Sequence, residues 1–137
     1  MIDRRSEDIV ARVREITGGR MLPVVFDSVG KDSFETTLDC LAPLGLFVSF
    51  GATSGKPPPV EAGVLQSRGS LFFTRPTLMT YCGTPELYAA SAARVVEMLA
   101  SGALAPVIGQ RFPLAEAAQA HRDLEAGRTT GATLLIP

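Results

Sequence analysis

A long apolar run that ends in a glycine-rich loop limits the fold of this chain more than any other feature. The run from Gly45 to Phe50 contains one polar residue, Ser49, and leads directly into the loop from Gly51 to Gly55. An apolar run without polar alternation is typical of a strand buried on both faces of a helix-covered parallel sheet. It predicts either a buried strand that carries a ligand-binding loop or a core strand followed by an ordinary turn.

A second segment of the same form lies upstream. Val24 to Phe26 is apolar, and the small polar sequence from Asp27 to Gly30 follows it. Parallel strands place their carboxyl ends at one edge of a sheet, and open α/β sheets bind ligands at that edge. The pair of segments therefore favours a ligand-binding edge over two unrelated turns.

Capping signals and apolar periodicity predict helices around these strands. The first begins at Ser6, a good N-cap residue, and Gly18-Gly19 ends it. The second begins with the capping-box pair Asp32 and Glu35 and ends at Pro43 and Gly45. Another begins at Thr84-Pro85-Glu86, where an N-cap precedes a proline. The apolar stripes that these helices would bury are Ile9, Val10, Val13 and Ile16; Phe34, Leu38 and Leu41; and Tyr88, Ala92, Val95, Val96 and Leu99.

The remaining patterns complete an alternation of helix and strand. Strands are predicted over 22–26, 70–74, 107–112 and 132–136, and helices over 60–67 and 114–126. Such alternation indicates βαβ units with a parallel sheet. We therefore predict an α/β fold, a doubly wound parallel sheet flanked by helices, and the length of 137 residues suggests one domain.

Composition excludes several classes of function. The formal net charge is −1, and no long basic run is present, so a nucleic-acid partner is not expected. No apolar stretch approaches the roughly 20 residues of a membrane span, and no signal peptide is recognisable, so a cytoplasmic location is expected. Cys40, Cys82 and the single histidine, His121, have neither disulfide-scaffold density nor zinc-site spacing. We expect two reduced thiols, no metal and a structural rather than catalytic His121.

The motifs resemble those of a known family. The matching segments are 15–19, 24–30, 46–51 and 69–71, together with Ala117 to His121, Leu124, Gly131 and Leu134-Leu135 in the tail. They are similar to the zinc-free quinone oxidoreductases, the zeta-crystallin type, of the medium-chain dehydrogenase/reductase superfamily. The resemblance covers essentially the whole chain and keeps the motif order.

The resemblance implies a partial nucleotide-binding domain. Members of the family carry an N-terminal catalytic domain and a Rossmann domain that opens with a glycine-rich turn for the pyrophosphate. Residues 1–137 match neither the catalytic domain nor the glycine-rich turn, so they are expected to form a single incomplete Rossmann-like domain without its first βα unit. Segment 105–137 corresponds to the return of the chain towards the catalytic domain.

The resemblance also implies a cofactor and a reaction. The reaction is hydride transfer from NADPH to a quinone-like acceptor, with no catalytic protein side chain and no metal. Arg4 stands where the family has a tyrosine near the adenosine 2′-phosphate, and Arg128 is the candidate for a basic residue near the C-terminal end. The cofactor-binding residues implied are Arg4, Ser28, Val29, Gly30, Phe50, Gly51, Ala52, Thr53, Ser54 and Arg128. This chain alone is expected to bind NADPH weakly or not at all and to be inactive.

The resemblance finally implies a partner, a second copy of the chain. In the family the strand that matches Ser70 to Thr74 pairs with its copy, so a homodimer is expected through Ser70, Leu71, Phe72, Phe73 and Thr74. Two other interpretations stay open at this point. The chain can be a noncatalytic dimerisation module derived from the same fold, or part of a related zinc-free enoyl reductase.

Overall fold

The computed structural model describes residues 1–4 and 6–137, which divide into two compact units. The first unit spans Met1–Gly83 and the second Thr84–Pro137. The elements of the first are α1 (Ile9–Ile16), β1 (Leu22–Asp27), α2 (Phe34–Asp39), β2 (Leu41–Ser49), α3 (Ala62–Ser67), β3 (Phe72–Thr74) and α4 (Leu78–Tyr81). Those of the second are α5 (Pro85–Ala100), β4 (Ile108–Pro113), α6 (Ala117–Glu125) and β5 (Ala132–Ile136), with a 3₁₀ turn at Leu114–Glu116.

The sheet of the first unit is parallel throughout and has the order β1-β2-β3. Its register sets Asp27 beside Ser49 and Val48 beside Thr74, so the carboxyl ends of the three strands meet at one edge. β4 and β5 also pair in parallel. The predicted α/β class with parallel sheets is confirmed.

β2 begins four residues earlier than the apolar run predicts. Leu41, assigned from its spacing to the stripe of the second helix, is the first residue of β2 and pairs with Leu22. The register then shifts, and Val24 pairs with Leu46. Pro43 and Gly45 were predicted to end a helix, but they mark this irregular stretch inside the strand, because a bulge tolerates the same residues as a helix stop.

Two of the predicted caps are wrong by one or two residues. Asp8, not Ser6, caps α1, and its carboxylate accepts a hydrogen bond from the amide of Ala11. Ser33, not Asp32, is the N-cap position of α2, and its side chain makes no capping bond because its hydroxyl is bonded to Asp27 instead. The predicted cap at Thr84 is confirmed, since its side chain accepts from the amide of Leu87.

The core of the first unit lies between one face of the sheet and the helices. Phe47 is 1% exposed and contacts the rings of Phe34 and Phe73 at centroid distances of 5.6 and 5.1 Å. Leu38, Leu41 and Leu71 complete the cluster. Full burial of each such side chain stabilises the fold by about 1.5–3 kcal/mol, so this cluster fixes the sheet that carries the loops.

The second unit has a small parallel sheet against which the 3₁₀ turn and α6 lie. The predicted buried stripe of α5 is wrong, since Tyr88, Val95, Val96 and Leu99 are all exposed. The sequence pattern identifies an apolar stripe but not whether another element covers it. Within the described residues, no helix is long and apolar enough to cross a membrane.

Candidate functional site

The two loops singled out from the sequence lie side by side at the carboxyl edge of the three-stranded sheet. The amide of Thr53 donates to the carbonyl of Ser28 at 3.2 Å, and that of Ser54 donates to the carbonyl of Val29 at 2.9 Å. The Ser54 hydroxyl donates to the same carbonyl at 2.8 Å. Residues 28–30 and 50–54 thus form one hydrogen-bonded surface, which we call the loop pair.

Glycine is required in the loop pair because the loops touch each other. A Cβ on Gly51 would lie 2.5 Å from the carbonyl oxygen of Ser28, and one on Gly30 would lie 2.5 Å from that of Gly55. Gly30 also has a backbone φ of +93°, which residues with a side chain rarely adopt. From the sequence these glycines suggest close approach of a ligand, but the close neighbour in the structure is the other loop.

Asp27, at the end of β1, holds the loop pair through hydrogen bonds, although it was not among the residues selected from the sequence. Its side chain is buried, and its carboxylate accepts from the amides of Val29 and Gly30 at 2.6 and 3.1 Å. Burial raises the pKa of this carboxyl, but hydrogen bonds from Ser33, the two amides and Thr37 outweigh it, and the net pKa is lowered. Asp27 is therefore ionised at neutral pH. An aspartate followed by Ser-Val-Gly is a turn signal that sequence analysis can detect.

Arg75, just after β3, places a positive charge at the same edge. Its guanidinium donates to the Ser49 hydroxyl at 3.0 Å and to the carbonyl of Gly51 at 2.8 Å. Ser49 is 1% exposed, so the arginine caps a buried hydroxyl at the end of β2. No residue spacing predicted this contact, because it depends on the pairing of β2 with β3.

Aromatic surface completes the edge. Phe50 is 54% exposed, and its ring contacts that of Phe26 edge to face at a centroid distance of 6.5 Å. The two exposed rings give this edge a small apolar surface beside the polar loops. The edge therefore offers aromatic area, backbone and one guanidinium, which together suit a flat heteroaromatic ligand that carries negative charge.

The two arginines selected from the sequence lie in different units. Arg4 lines a cavity of about 320 Å³ in the first unit, whose wall also contains Val29, Ser33 and Thr37. Arg128 lies in the second unit and donates to Asp123 at 2.5 Å. This hydrogen bond lowers the pKa of the Asp123 carboxyl. Arg128 is thus already engaged by a carboxylate.

His121 and the cysteines lie outside the loop pair. His121 is exposed and lines a cavity of about 180 Å³ with Ala120, Leu124, Thr133 and Leu135. Both cysteines are free thiols, and burial raises the pKa of Cys40. In the part of the chain that the structure describes, no three His, Cys, Asp or Glu side chains lie close enough to hold a metal ion.

Comparison with known proteins gives the class of this chain. The family model described as zinc-binding dehydrogenase matches residues 1–135. The chain belongs to this family, and the resemblance to quinone oxidoreductases of the medium-chain superfamily is confirmed. A protein zinc site needs three or four nitrogen, sulfur or carboxylate ligands, and the described residues do not fit one.

Individual relatives agree with this class. A quinone oxidoreductase of Pseudomonas aeruginosa is 52% identical over 99% of this chain and 42% of its own length. The 2-haloacrylate reductase of a Burkholderia species is 37% identical over 99% of this chain and 41% of its own length. The crystal structure of Escherichia coli quinone oxidoreductase complexed with NADPH superposes with a TM-score of 0.92 at 44% identity, covering 99% of this chain and 42% of that one. The chain thus spans about 42% of the length of the quinone oxidoreductases it matches.

Proposed function

We propose that residues 1–137 are the part of an NADPH-dependent quinone oxidoreductase that contacts the nicotinamide end of the cofactor. The observation that carries this proposal is the loop pair at the carboxyl edge of a parallel sheet, in a chain of this family. Relatives named quinone oxidoreductases, one of them crystallised with NADPH, support the cofactor and the acceptor class. NADPH, when bound, supplies the hydride that reduces the acceptor.

The side chains at this edge would hold and orient rather than react. The exposed Phe50 ring offers a surface on which a nicotinamide ring can lie. Arg75 would add a favourable charge for a phosphorylated ligand, and the rigid backbone of 52–54 would fix its position. Orientation of this kind needs no protein nucleophile.

Arg4 and Arg128 are proposed to favour NADPH over NADH. A guanidinium hydrogen bond to a charged group contributes about 1.5–3 kcal/mol, so NADPH is expected to bind at least about tenfold more tightly than NADH. Salt should weaken the preference because part of it is Coulombic. Calorimetric titration of residues 1–137 with both nucleotides measures it, with Arg4→Gln and Arg128→Gln as variants.

A matched control separates this role from general surface charge. Arg94 forms an exposed ion pair with Glu97 at 2.7 Å, much as Arg128 does with Asp123. Arg94→Gln should leave the NADPH preference unchanged, whereas Arg128→Gln should reduce it. Equal affinities of the unaltered chain for NADPH and NADH would contradict the assignment of both arginines.

Residues 1–137 alone are expected not to catalyse turnover. Alignment of two reactants can account for roughly 7–11 kcal/mol of a barrier, and these residues contain no G-x-G-x-x-G turn to fix a pyrophosphate. Mixing the purified chain with NADPH and a benzoquinone, and following the absorbance of the reduced nicotinamide, tests this. Saturable oxidation above a no-protein control would show that the chain is a working enzyme.

A second acceptor class has a specific observation in its favour. The Burkholderia relative is named a 2-haloacrylate reductase, and a 2-haloacrylate is a compound with a carbon–carbon double bond rather than a quinone. Its identity to this chain is lower than that of the Pseudomonas quinone oxidoreductase, 37% against 52%, so quinones remain the first proposal. Comparing the two acceptors with a longer protein that contains this sequence would decide between them.

We also propose that the chain forms a homodimer through 70–74. Within residues 1–4 and 6–137, β3 pairs only with β2, and Phe72 on it is 60% exposed. An apolar edge strand of this kind readily pairs with a second copy. The interpretation of the chain as a noncatalytic dimerisation module shares this interface and differs in predicting no nucleotide binding.

A further inference from the structure

Asp27 accepts hydrogen bonds from both members of the loop pair. Through its carboxylate it accepts from the amides of Val29 and Gly30, and through its main-chain carbonyl it accepts from the amides of Phe50 and Gly51, at 2.9 and 3.3 Å. Asp27 is only 4% exposed, so its acceptor oxygens are shielded from competing water. A buried carboxylate held by several donors is costly to disturb.

The two carboxylate oxygens have separate partners. Oδ1 faces the loop amides, whereas Oδ2 accepts from the hydroxyls of Ser33 at 2.5 Å and Thr37 at 3.1 Å, beside and within α2. Oδ2 therefore bonds the carboxylate to α2 and the residue before it, and Oδ1 bonds the carboxylate to the loop 28–30. The two sets of hydrogen bonds can be removed separately by substitution.

The loop 50–54 is held to the loop 28–30 by hydrogen bonds. Ser54 donates its amide and hydroxyl hydrogens to the carbonyl of Val29, and its hydroxyl oxygen accepts from the amide of Asp32 at 3.0 Å. The position of 53–54 therefore depends on the position of 28–29. Displacement of the first loop would displace the second.

We propose that Asp27 is the positioning residue of the cofactor edge: its carboxylate fixes 28–30, residues 53–54 take their position from that loop, and the Asp27 main-chain carbonyl holds 50–51. This inference rests on the proposed function, since it assigns the element that sets the nicotinamide-contacting surface. Asp27 itself is buried beneath the loops and acts through them. Asparagine has the same shape but no charge, so the hydrogen bonds from the loop amides to its side-chain oxygen are weaker than those to a carboxylate.

Amide hydrogen exchange of the whole 137-residue chain, without nucleotide, tests the role of Asp27. In Asp27→Asn the amides of Val29 and Gly30 are expected to exchange about tenfold faster, with those of Thr53 and Ser54 following. Thr37→Val removes a donor to the same carboxylate on the helix side and should leave these four amides within about twofold of the unaltered chain. Unchanged loop exchange in Asp27→Asn, or equal acceleration in Thr37→Val, would overturn the proposal.

A second variant keeps the test decisive if Asp27→Asn does not fold. Ser54→Ala cuts the side-chain tie between the loops and leaves Asp27 intact. It should accelerate exchange at Asp32 and Ser54 while Val29 and Gly30 stay protected. Loss of protection at Val29 and Gly30 as well would show that the second loop, not Asp27, holds the first, and would refute the order proposed.

NADPH titration then links the position of the loops to binding. Asp27→Asn should lower NADPH affinity at least about fivefold. Equal affinity of Asp27→Asn and the unaltered chain would count against a role in the cofactor edge. Because residues 1–137 alone are expected to bind weakly, the titration extends to millimolar NADPH. No binding in that range would count against the proposed cofactor contact, whereas the exchange measurements still decide what Asp27 holds in place.

Discussion

Replacing Gly51 with alanine is expected to destabilise the chain by about 1–3 kcal/mol and to reduce nucleotide binding, because the new methyl group overpacks the loop pair. It would lie 2.5 Å from the carbonyl oxygen of Ser28 and 2.8 Å from its Cα. Both neighbours are backbone atoms, which cannot rotate away as a side chain can. Relief requires the loops to separate, and separation breaks the bonds of Thr53 and Ser54 to the first loop. Urea denaturation measures the loss of stability.

Gly63→Ala is the matched control for this prediction. Gly63 lies inside α3, and nothing lies within 4 Å of the position that its Cβ would occupy. Alanine is favoured over glycine within a helix by about 0.5–1 kcal/mol, so this variant should be as stable as the unaltered chain or more so. If Gly51→Ala matched Gly63→Ala in stability, the described contact between the loops would be wrong.

Replacing Phe72 with lysine is expected to abolish the proposed homodimer. Pairing of β3 with its copy would bury the side chains near the two-fold axis, and a buried, unpaired ammonium costs far more than an aromatic ring contributes. Light scattering during size-exclusion chromatography should therefore give the mass of a monomer, or the protein should become insoluble. The unaltered chain should give the mass of a dimer.

Phe26→Lys tests whether the position or the charge matters. Phe26 is 70% exposed, like Phe72 at 60%, but it lies on β1, at the opposite edge of the three-stranded sheet. This variant should remain dimeric. A dimer that survives Phe72→Lys, or one lost equally in both variants, would contradict an interface at 70–74.

The sequence was sufficient to predict those elements whose signal lies within a few consecutive residues. The apolar run before Gly51 predicted a buried parallel strand because few other structures tolerate such a run, and the Thr84 cap was found from three consecutive residues. The adjacency of the two loops also followed from the sequence, because parallel topology brings strand ends to one edge.

The sequence was insufficient to predict those features that depend on contacts between residues far apart in the chain. Leu41 has helical spacing from Leu38, yet it lies in β2 because pairing with Leu22 outweighs that local pattern. Arg75 reaches Ser49 and Gly51 only because β3 pairs with β2. The exposed stripe of α5 shows the same limit, since periodicity identifies an apolar face but not what covers it.

Backbone amide chemical shifts measured by NMR show directly whether the loop pair contacts the nicotinamide end of NADPH. The 137-residue chain is titrated with NADPH and, separately, with 2′-phospho-ADP-ribose, which lacks the nicotinamide. We predict saturable shifts of the amides of 28–30 and 50–54 with NADPH that the second nucleotide does not produce. No saturable shift at these amides, or the same shifts from both nucleotides, would contradict contact between the loop pair and the nicotinamide.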